Sequence, residues 1–298
     1  MQYVELGKTG LRVSVLGLGC GGKSKLGQEQ GKSVRESVEI VKVALDGGIN
    51  YFDTAPSYQT ETILGKGIAG HNRESVVLAT KSHYWEGMTG AQLRDALEGS
   101  LKKLGTDYVD VYQLHGLRPW QYDAAMASVV PEMLRLKEEG KIRHLGVTEF
   151  FKEDLLHQTL LQAVRDPIWE VGMVGFNFFH QVARREFLPK AAERNMGVVV
   201  MFAVRYKLCR PEHFRALVRS QVETGVIERN AIDSNEPLGF LISSGIAENI
   251  TDAAYRFCRD EPGVHVTLTG TGSVEHLRVN LRTIERPPLP AEARDQLY

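Results

Sequence analysis

Eight short apolar runs, each followed by a segment of helical periodicity, predict an α/β chain closing into a (β/α)8 TIM barrel. An N-terminal β-hairpin and an enlarged loop region after the seventh strand are expected additions. Two observations carry the expectation. The runs begin near Val13, Asn50, Val76, Tyr108, Ile142, Val171, Gly197 and Val264 at fairly even spacing, except that the last gap is nearly double. The chain has 298 residues with no low-complexity linker, a length that one barrel domain spanning residues 1–298 accounts for.

Taken in order, the elements justify themselves locally. The opening LGKTGLRVS centres a glycine turn between extended segments and reads as a hairpin plugging one end of the barrel. Ser33-Val34-Arg35-Glu36 and Thr89-Gly90-Ala91-Gln92 are capping boxes that start helices, and Gly105 and Gly140 fall where helices stop. Leu93, Leu97, Leu101 and Leu104 make one helical stripe. The surplus before the eighth strand, roughly Arg205 to Gly245, is mixed and charged and reads as a rim excursion or an additional helix. Asn249-Ile250-Thr251 fits a glycosylation pattern but reads as a helix start. The closing LPAEARDQLY resembles an unfinished helix and leaves open whether the chain runs past Tyr298.

Charge and cysteine usage bound the function classes. With 36 basic and 37 acidic residues the net charge is -1, without long blocks of like charge, so no nucleic-acid or anionic-membrane surface is signalled. Cys20, Cys209 and Cys258 have no metal-ligand spacing; no metal site is expected, and their odd number suits a reducing compartment. The start MQYVELGKTG does not read as a signal peptide, and no apolar run reaches membrane-spanning length. A cytoplasmic protein, monomeric or weakly associating, is the expectation.

The segment GLGCGGKS, Gly17 to Ser24, matches both GxGxxG and GxxxxGKS. A phosphate loop needs a helix to open at its end, so that free amides and the helix dipole hold the anion. Here KLGQEQG follows, interrupted by Gly27 and Gly31, and the first good cap is Ser33. The segment is therefore expected to be a glycine-rich turn, with Gly21 a point where a ligand approaches the backbone.

Asp53, Tyr58, Lys81 and His115 each stand at or just past the end of an apolar run, and in a parallel barrel such positions converge at one rim. A phenol is a poor acid or base at neutral pH unless tuned. An ammonium at Lys81 would favour phenolate character in Tyr58, Asp53 would keep Lys81 charged, and His115 would hydrogen-bond a substrate oxygen. Singly, each has a structural explanation; together at one mouth they read as a proton relay. His83 and Trp85, just beyond Lys81, read equally as pocket walls or surface packing, and Cys20 as a small buried hydrophobe.

The segments GINYFDTAPSY, TETILGKGI and LGTDYVDVYQLH resemble the signatures of the aldo-keto reductases, as do LGKTGLRVSVLGLG, IRHLGVTEF and GTGSVEHLRVNL. The resemblance runs in order over almost the whole chain. It implies an eight-stranded barrel, a nicotinamide cofactor bound without a Rossmann fold, and a tetrad with Tyr58 as proton donor or acceptor. In it Lys81 activates Tyr58, Asp53 supports Lys81 and borders the cofactor, and His115 orients the carbonyl.

The cofactor seat departs from the family pattern. Where members commonly carry Ser-Asn and Gln for the nicotinamide carboxamide, this chain has Thr148-Glu149 and Met173. Thr148 keeps a hydroxyl, Glu149 is expected to accept from the amide nitrogen, and Met173 offers packing. A looser nicotinamide is the consequence. Phe202 is expected to stack on the nicotinamide or to be core. Gly270 and His276 occupy the slots of the Lys and Arg that hold an adenosine 2′-phosphate, with Thr271 and Gly272 leading into a helix whose amides suit an anion. His276, Arg278 or Arg205 would supply charge, and Asn280 would face adenine. NADP(H) is favoured over NAD(H). The expected function is interconversion of carbonyls and alcohols, with aldehydes, ketones or aldoses as substrates. The alternatives are an aldose dehydrogenase acting in the oxidative direction and a nucleotide-sensing regulatory or channel-associated subunit with vestigial turnover.

Overall fold

A computed structural model describes residues 1–205, 208–229 and 231–298. The chain opens with β1 (Tyr3–Glu5) and β2 (Arg12–Ser14), an antiparallel pair in which Tyr3 faces Ser14. The barrel follows, alternating strands with helices: β3 (Leu16–Gly19), α1 (Val34–Asp46), β4 (Tyr51–Asp53), α2 (Glu61–Ile68), β5 (Val77–His83), α3 (Gly90–Leu104) and β6 (Val109–Leu117). Then come α4 (Tyr122–Ser128), α5 (Val130–Glu138), β7 (Ile142–Glu149), α6 (Gln158–Ala163), β8 (Val171–Gly175), α7 (Val182–Glu186), α8 (Leu188–Glu193) and β9 (Gly197–Met201). After β9 lie α9 (Pro211–Glu223), α10 (Gly239–Ile242), α11 (Ile250–Arg259), β10 (Val266–Thr269), α12 (Val274–Glu285) and α13 (Ala291–Asp295). Strands β3 to β10 close in the order β10-β3-β4-β5-β6-β7-β8-β9, every pair parallel.

Two apolar regions hold this together. The lumen is filled by Tyr51, Val77, Ala79, Val111, Val171, Met173, Val199 and Val266, and the hairpin adds Leu6 and Val13, both fully buried. The hairpin is thus the plug that the sequence predicted. Its turn presses on the start of β9: the Lys8 amide donates to the Asn195 carbonyl at 2.7 Å, and a Cβ on Gly7, φ 52°, would meet the Gly197 nitrogen at 2.3 Å. The second region is the shell between helices and strands, which includes the predicted leucine stripe of α3. Both capping boxes form, at Ser33 and Thr89, and Gly105 and Gly140 adopt the left-handed backbone. Asn249 caps α11 by accepting from the Asp252 amide.

One strand start is corrected. The run beginning at Val13 is divided, because the Ser14 hydroxyl donates to the Leu16 carbonyl at 2.7 Å and the Ser14 amide to Asn50 Oδ1 at 2.7 Å. Val13 therefore belongs to the hairpin, and the first barrel strand begins at Leu16. The excursion after β9 contains α9, which buries Phe214 and Val218, and α10; Tyr206, Lys207 and Asn230 within it lie outside the described residues.

Candidate active site

All four tetrad residues stand at the C-terminal rim of the barrel. Asp53 ends β4, Lys81 and His115 sit near the ends of β5 and β6, and Tyr58 closes the short 3-10 turn Pro56–Tyr58 after β4. Lys81 Nζ lies 2.6 Å from both Asp53 carboxylate oxygens and 2.8 Å from the Thr54 carbonyl, so its three donors are all engaged. Lys81 and Asp53 are 1 % and 3 % exposed, a degree of burial that makes the pairing a condition of either charge existing there. Gln113 Nε2 donates to Asp53 Oδ1 at 3.3 Å. The Lys81 ammonium stands 5.2 Å from the Tyr58 ring centroid, and the Tyr58 hydroxyl is 3.2 Å from His115 Nε2.

Electrostatics sets the protonation states. Burial alone would lower the Lys81 pKa, but the facing Asp53, with Tyr58 adding, holds the ammonium above its usual value. Burial pushes the Tyr58 phenol up and Lys81 pulls it back; the net is upward, so the resting group is a protonated phenol. This corrects the expectation of phenolate character: the charge acts with the expected sign but is outweighed by desolvation. Burial, followed by the charge of Lys81 and the presence of His83, drops His115 to about 2, leaving a neutral imidazole. Its Nδ1 is buried without a partner among the described residues.

Gly21 has a sharper role than ligand access. A Cβ there would lie 2.5 Å from Tyr58 Cε2, so the absence of a side chain is what lets the phenol lie against the β3 turn. Cys20, fully buried, has its thiol pushed up by burial and then by Asp53, which makes it an inert hydrophobe.

The expected cofactor residues are largely engaged within the protein itself. Thr148 Oγ1 accepts from the Gly116 amide at 2.6 Å. Glu149 is turned into the protein: Oε2 takes His157 Nδ1 at 2.8 Å and Oε1 the Gly175 amide at 2.8 Å, so both oxygens have internal partners. Met173 is packed in the lumen. Phe202 adopts a left-handed backbone, φ 67°, and the Arg205 guanidinium lies 4.5 Å from its ring and 5.2 Å from that of Phe151. Burial lowers the Arg205 pKa. Gly270 follows β10, Thr271 accepts from the Ser273 amide, and Gly272 packs so closely on Gly27 that a Cβ would lie 2.7 Å from its Cα. At the start of α12 Ser273 caps the His276 amide, His276 is exposed, and the Glu275 carboxylate binds the Ser273 hydroxyl at 2.8 Å. Asn280 is buried, donating to Thr269 Oγ1 at 2.9 Å.

Sequence reasoning missed Gln113, Thr54, His157 and His180. Gln113 carried a signal, since it is two residues before His115 on the same strand face and polar within an apolar run. His157 carried none: it reaches Glu149 only through the loop after β7, and its Nε2 and that of His180 are buried without partners among the described residues. A groove of about 680 Å³, bordered by Lys66, His71, Arg73 and Lys103, lies at the opposite end of the barrel, away from the tetrad. Among the described residues no group of three or more His, Cys, Asp or Glu is placed to hold a metal ion, and no helix is long and apolar enough to cross a membrane.

Comparison with known proteins gives the same fold and one family. Aldo-keto reductase YhdN of Bacillus subtilis (strain 168) is 29 % identical over 300 residues, covering 91 % of this chain and 85 % of that protein. The crystal structure of the thermostable aldo-keto reductase Tm1743, in complex with the inhibitor epalrestat, superposes with a TM-score of 0.75 at 25 % identity, covering 100 % of this chain and 98 % of that one. An aldo/keto reductase of Klebsiella pneumoniae, solved in complex with NADP and acetate, shares the fold with a TM-score of 0.74 at 22 % identity, covering 99 % and 93 %. The model of the aldo/keto reductase family matches residues 17–297, and with an eight-stranded parallel barrel behind that match, the chain belongs to the aldo/keto reductase family of oxidoreductases.

Proposed function

We propose that this chain interconverts carbonyls and alcohols with NAD(P)(H), Tyr58 acting as general acid and base. The observation that carries this reading is a half-buried phenol 3.2 Å from a neutral imidazole and beside an ammonium that two carboxylate oxygens hold in place. When bound, the nicotinamide cofactor supplies or removes the hydride at the carbonyl carbon. Proton handling belongs to the chain.

In reduction Tyr58 donates its phenolic proton to the carbonyl oxygen as negative charge develops there. Lys81 stabilises the phenolate left behind, and because Asp53 and the Thr54 carbonyl fix its ammonium, no reorganisation is required at that moment. His115, uncharged, directs Nε2 at the same oxygen and orients it. In oxidation the roles reverse, Tyr58 receiving the alcohol proton.

The residues present fit a nicotinamide dinucleotide in part. Phe202 offers a face to a ring, and Arg205, half-buried and stacked on two aromatic rings, suits a phosphate. Thr148 would meet the carboxamide, with Met173 packing behind it. Gly270, Thr271 and the first turn of α12 would take the far end, with His276 and Asn280 beside it. Glu149, committed to His157 and Gly175, is not available to the carboxamide, which supports a looser seat. NADP(H) is kept as the preferred carrier on the exposed Arg278 and His276; Glu275 opposes a 2′-phosphate there. Comparing kcat/KM with NADPH and NADH tests that preference, and a higher value with NADH overturns it.

The reading itself is tested by a nucleotide-coupled assay run in both directions over aldehydes, ketones, aldoses and alcohols. Turnover of at least one carbonyl class with a matching reverse reaction is expected. Nucleotide binding without any turnover across the panel contradicts it and favours a sensing subunit.

A further inference from the structure

His83 ends β5 two residues after Lys81, so strand alternation puts both side chains on the lumen side, with His83 nearer the mouth. Register pairs it with His115 across the β5–β6 ladder. The two imidazoles stack with centroids 4.0 Å apart and planes 16° from parallel. Beyond the stack, His83 Nδ1 lies 3.1 Å from the His115 carbonyl oxygen. A carbonyl only accepts, so Nδ1 carries the proton, and in the neutral ring Nε2 is a bare lone pair. Partial burial of the ring, with the charges of Lys81 and Arg118, keeps the His83 pKa below the usual imidazole value against the opposing pull of the His115 carbonyl. The residue is exposed, and its Nε2 has no protein partner among the described residues. The mouth therefore presents a fixed, uncharged acceptor one ring thickness from the imidazole that faces the Tyr58 hydroxyl.

Tyr58 and His115 offer donors to a single oxygen, whereas His83 Nε2 needs a donor from the ligand. A carbonyl compound with a hydroxyl on the adjacent carbon satisfies both demands, because its oxygens differ in this respect: one only accepts, the other donates. We propose that His83 determines specificity, its Nε2 accepting a hydrogen bond from the hydroxyl next to the reacting carbonyl, so that the protein selects α-hydroxy carbonyls of the aldose type over their deoxy counterparts. This rests on the carbonyl–alcohol reading above. A substrate lacking the hydroxyl leaves the exposed Nε2 lone pair to water and forgoes the hydrogen bond that the hydroxylated substrate gains.

The test compares kcat/KM for glyceraldehyde and propanal, with saturating nucleotide, in the wild type, His83→Phe and His83→Gln. Phenylalanine keeps a ring on His115 without an acceptor; glutamine keeps an acceptor without the ring. Wild type is expected to prefer glyceraldehyde at least tenfold. His83→Phe should lower glyceraldehyde turnover about ten- to hundredfold and leave propanal within about threefold, and His83→Gln should restore part of the preference. An equal fall for both aldehydes in His83→Phe would make His83 a brace for His115 and overturn the assignment, as would turnover of propanal by wild type with no preference. Absence of turnover with both aldehydes overturns this proposal alone; the carbonyl–alcohol reading falls only if the whole panel of carbonyls and alcohols is silent as well. Nitrogen NMR of the resting protein gives an independent readout: the Nδ1–H tautomer at His83 is expected, and the Nε2–H tautomer contradicts the proposal.

Discussion

Tyr58 keeps its proton because burial outweighs the nearby Lys81 charge, and that balance has a consequence for pH dependence. A raised pKa leaves the acid form intact across the neutral range, and His115, held at about 2, does not titrate there. Reduction should therefore be flat from about pH 6 to about pH 9, while oxidation, which needs the phenol as base, should climb with pH toward and past 10. Profiles of kcat in both directions check this, and an acidic limb in reduction centred at the ordinary histidine range would contradict it. At this scale the sequence was informative about identity and mute about environment. The placement of Asp53, Tyr58, Lys81 and His115 at one rim was legible because polar groups at the ends of apolar runs converge in a parallel barrel. The sign of the Tyr58 shift was not legible, since it depends on how much of the chain covers the phenol. Glu149 shows the same limit: its residue type suggested a contact to a carboxamide, yet its partners are an imidazole eight residues away and the Gly175 amide.

Among the elements, β7 and its following loop depend on that carboxylate. Glu149 ends the strand, ties it to β8 through Gly175, and anchors the start of α6 through His157, which is itself in a left-handed conformation, φ 57°. Glu149→Ala strands a buried imidazole N–H and a buried amide, and is expected to cost about 2–4 kcal/mol. Urea unfolding measures this directly; a change within about 0.5 kcal/mol would show that the loop carries no load on the barrel. Helix starts were the elements best read from sequence, because the capping boxes at Ser33 and Thr89 are local patterns with local energetics. The division between β2 and β3 was not, because it is made by Asn50, which takes the Ser14 amide from a distant segment.

At the scale of the molecule, the end of the barrel opposite the tetrad is closed by Leu6 and Val13 from the hairpin. Leu6→Ala should destabilise the fold by about 2–5 kcal/mol while leaving kcat nearly unchanged at temperatures where the protein stays folded, since the tetrad sits at the other rim. Thermal unfolding alongside initial rates checks both halves of that statement. A loss of kcat in the folded variant would contradict the separation of a stabilising end from a working end. The barrel was legible in the sequence through repetition, whereas the arrangement of the rim was only partly so, because side chains from β4, the turn after it, β5 and β6 meet there across large sequence separations. The account depends most on Tyr58 as the group that moves the proton. The direct measurement is Tyr58→Phe, assayed for carbonyl reduction and for nucleotide binding by fluorescence titration. Loss of turnover by about a thousandfold or more, with nucleotide affinity within about threefold of wild type, is the result predicted; retention of more than a tenth of the wild-type rate would contradict it.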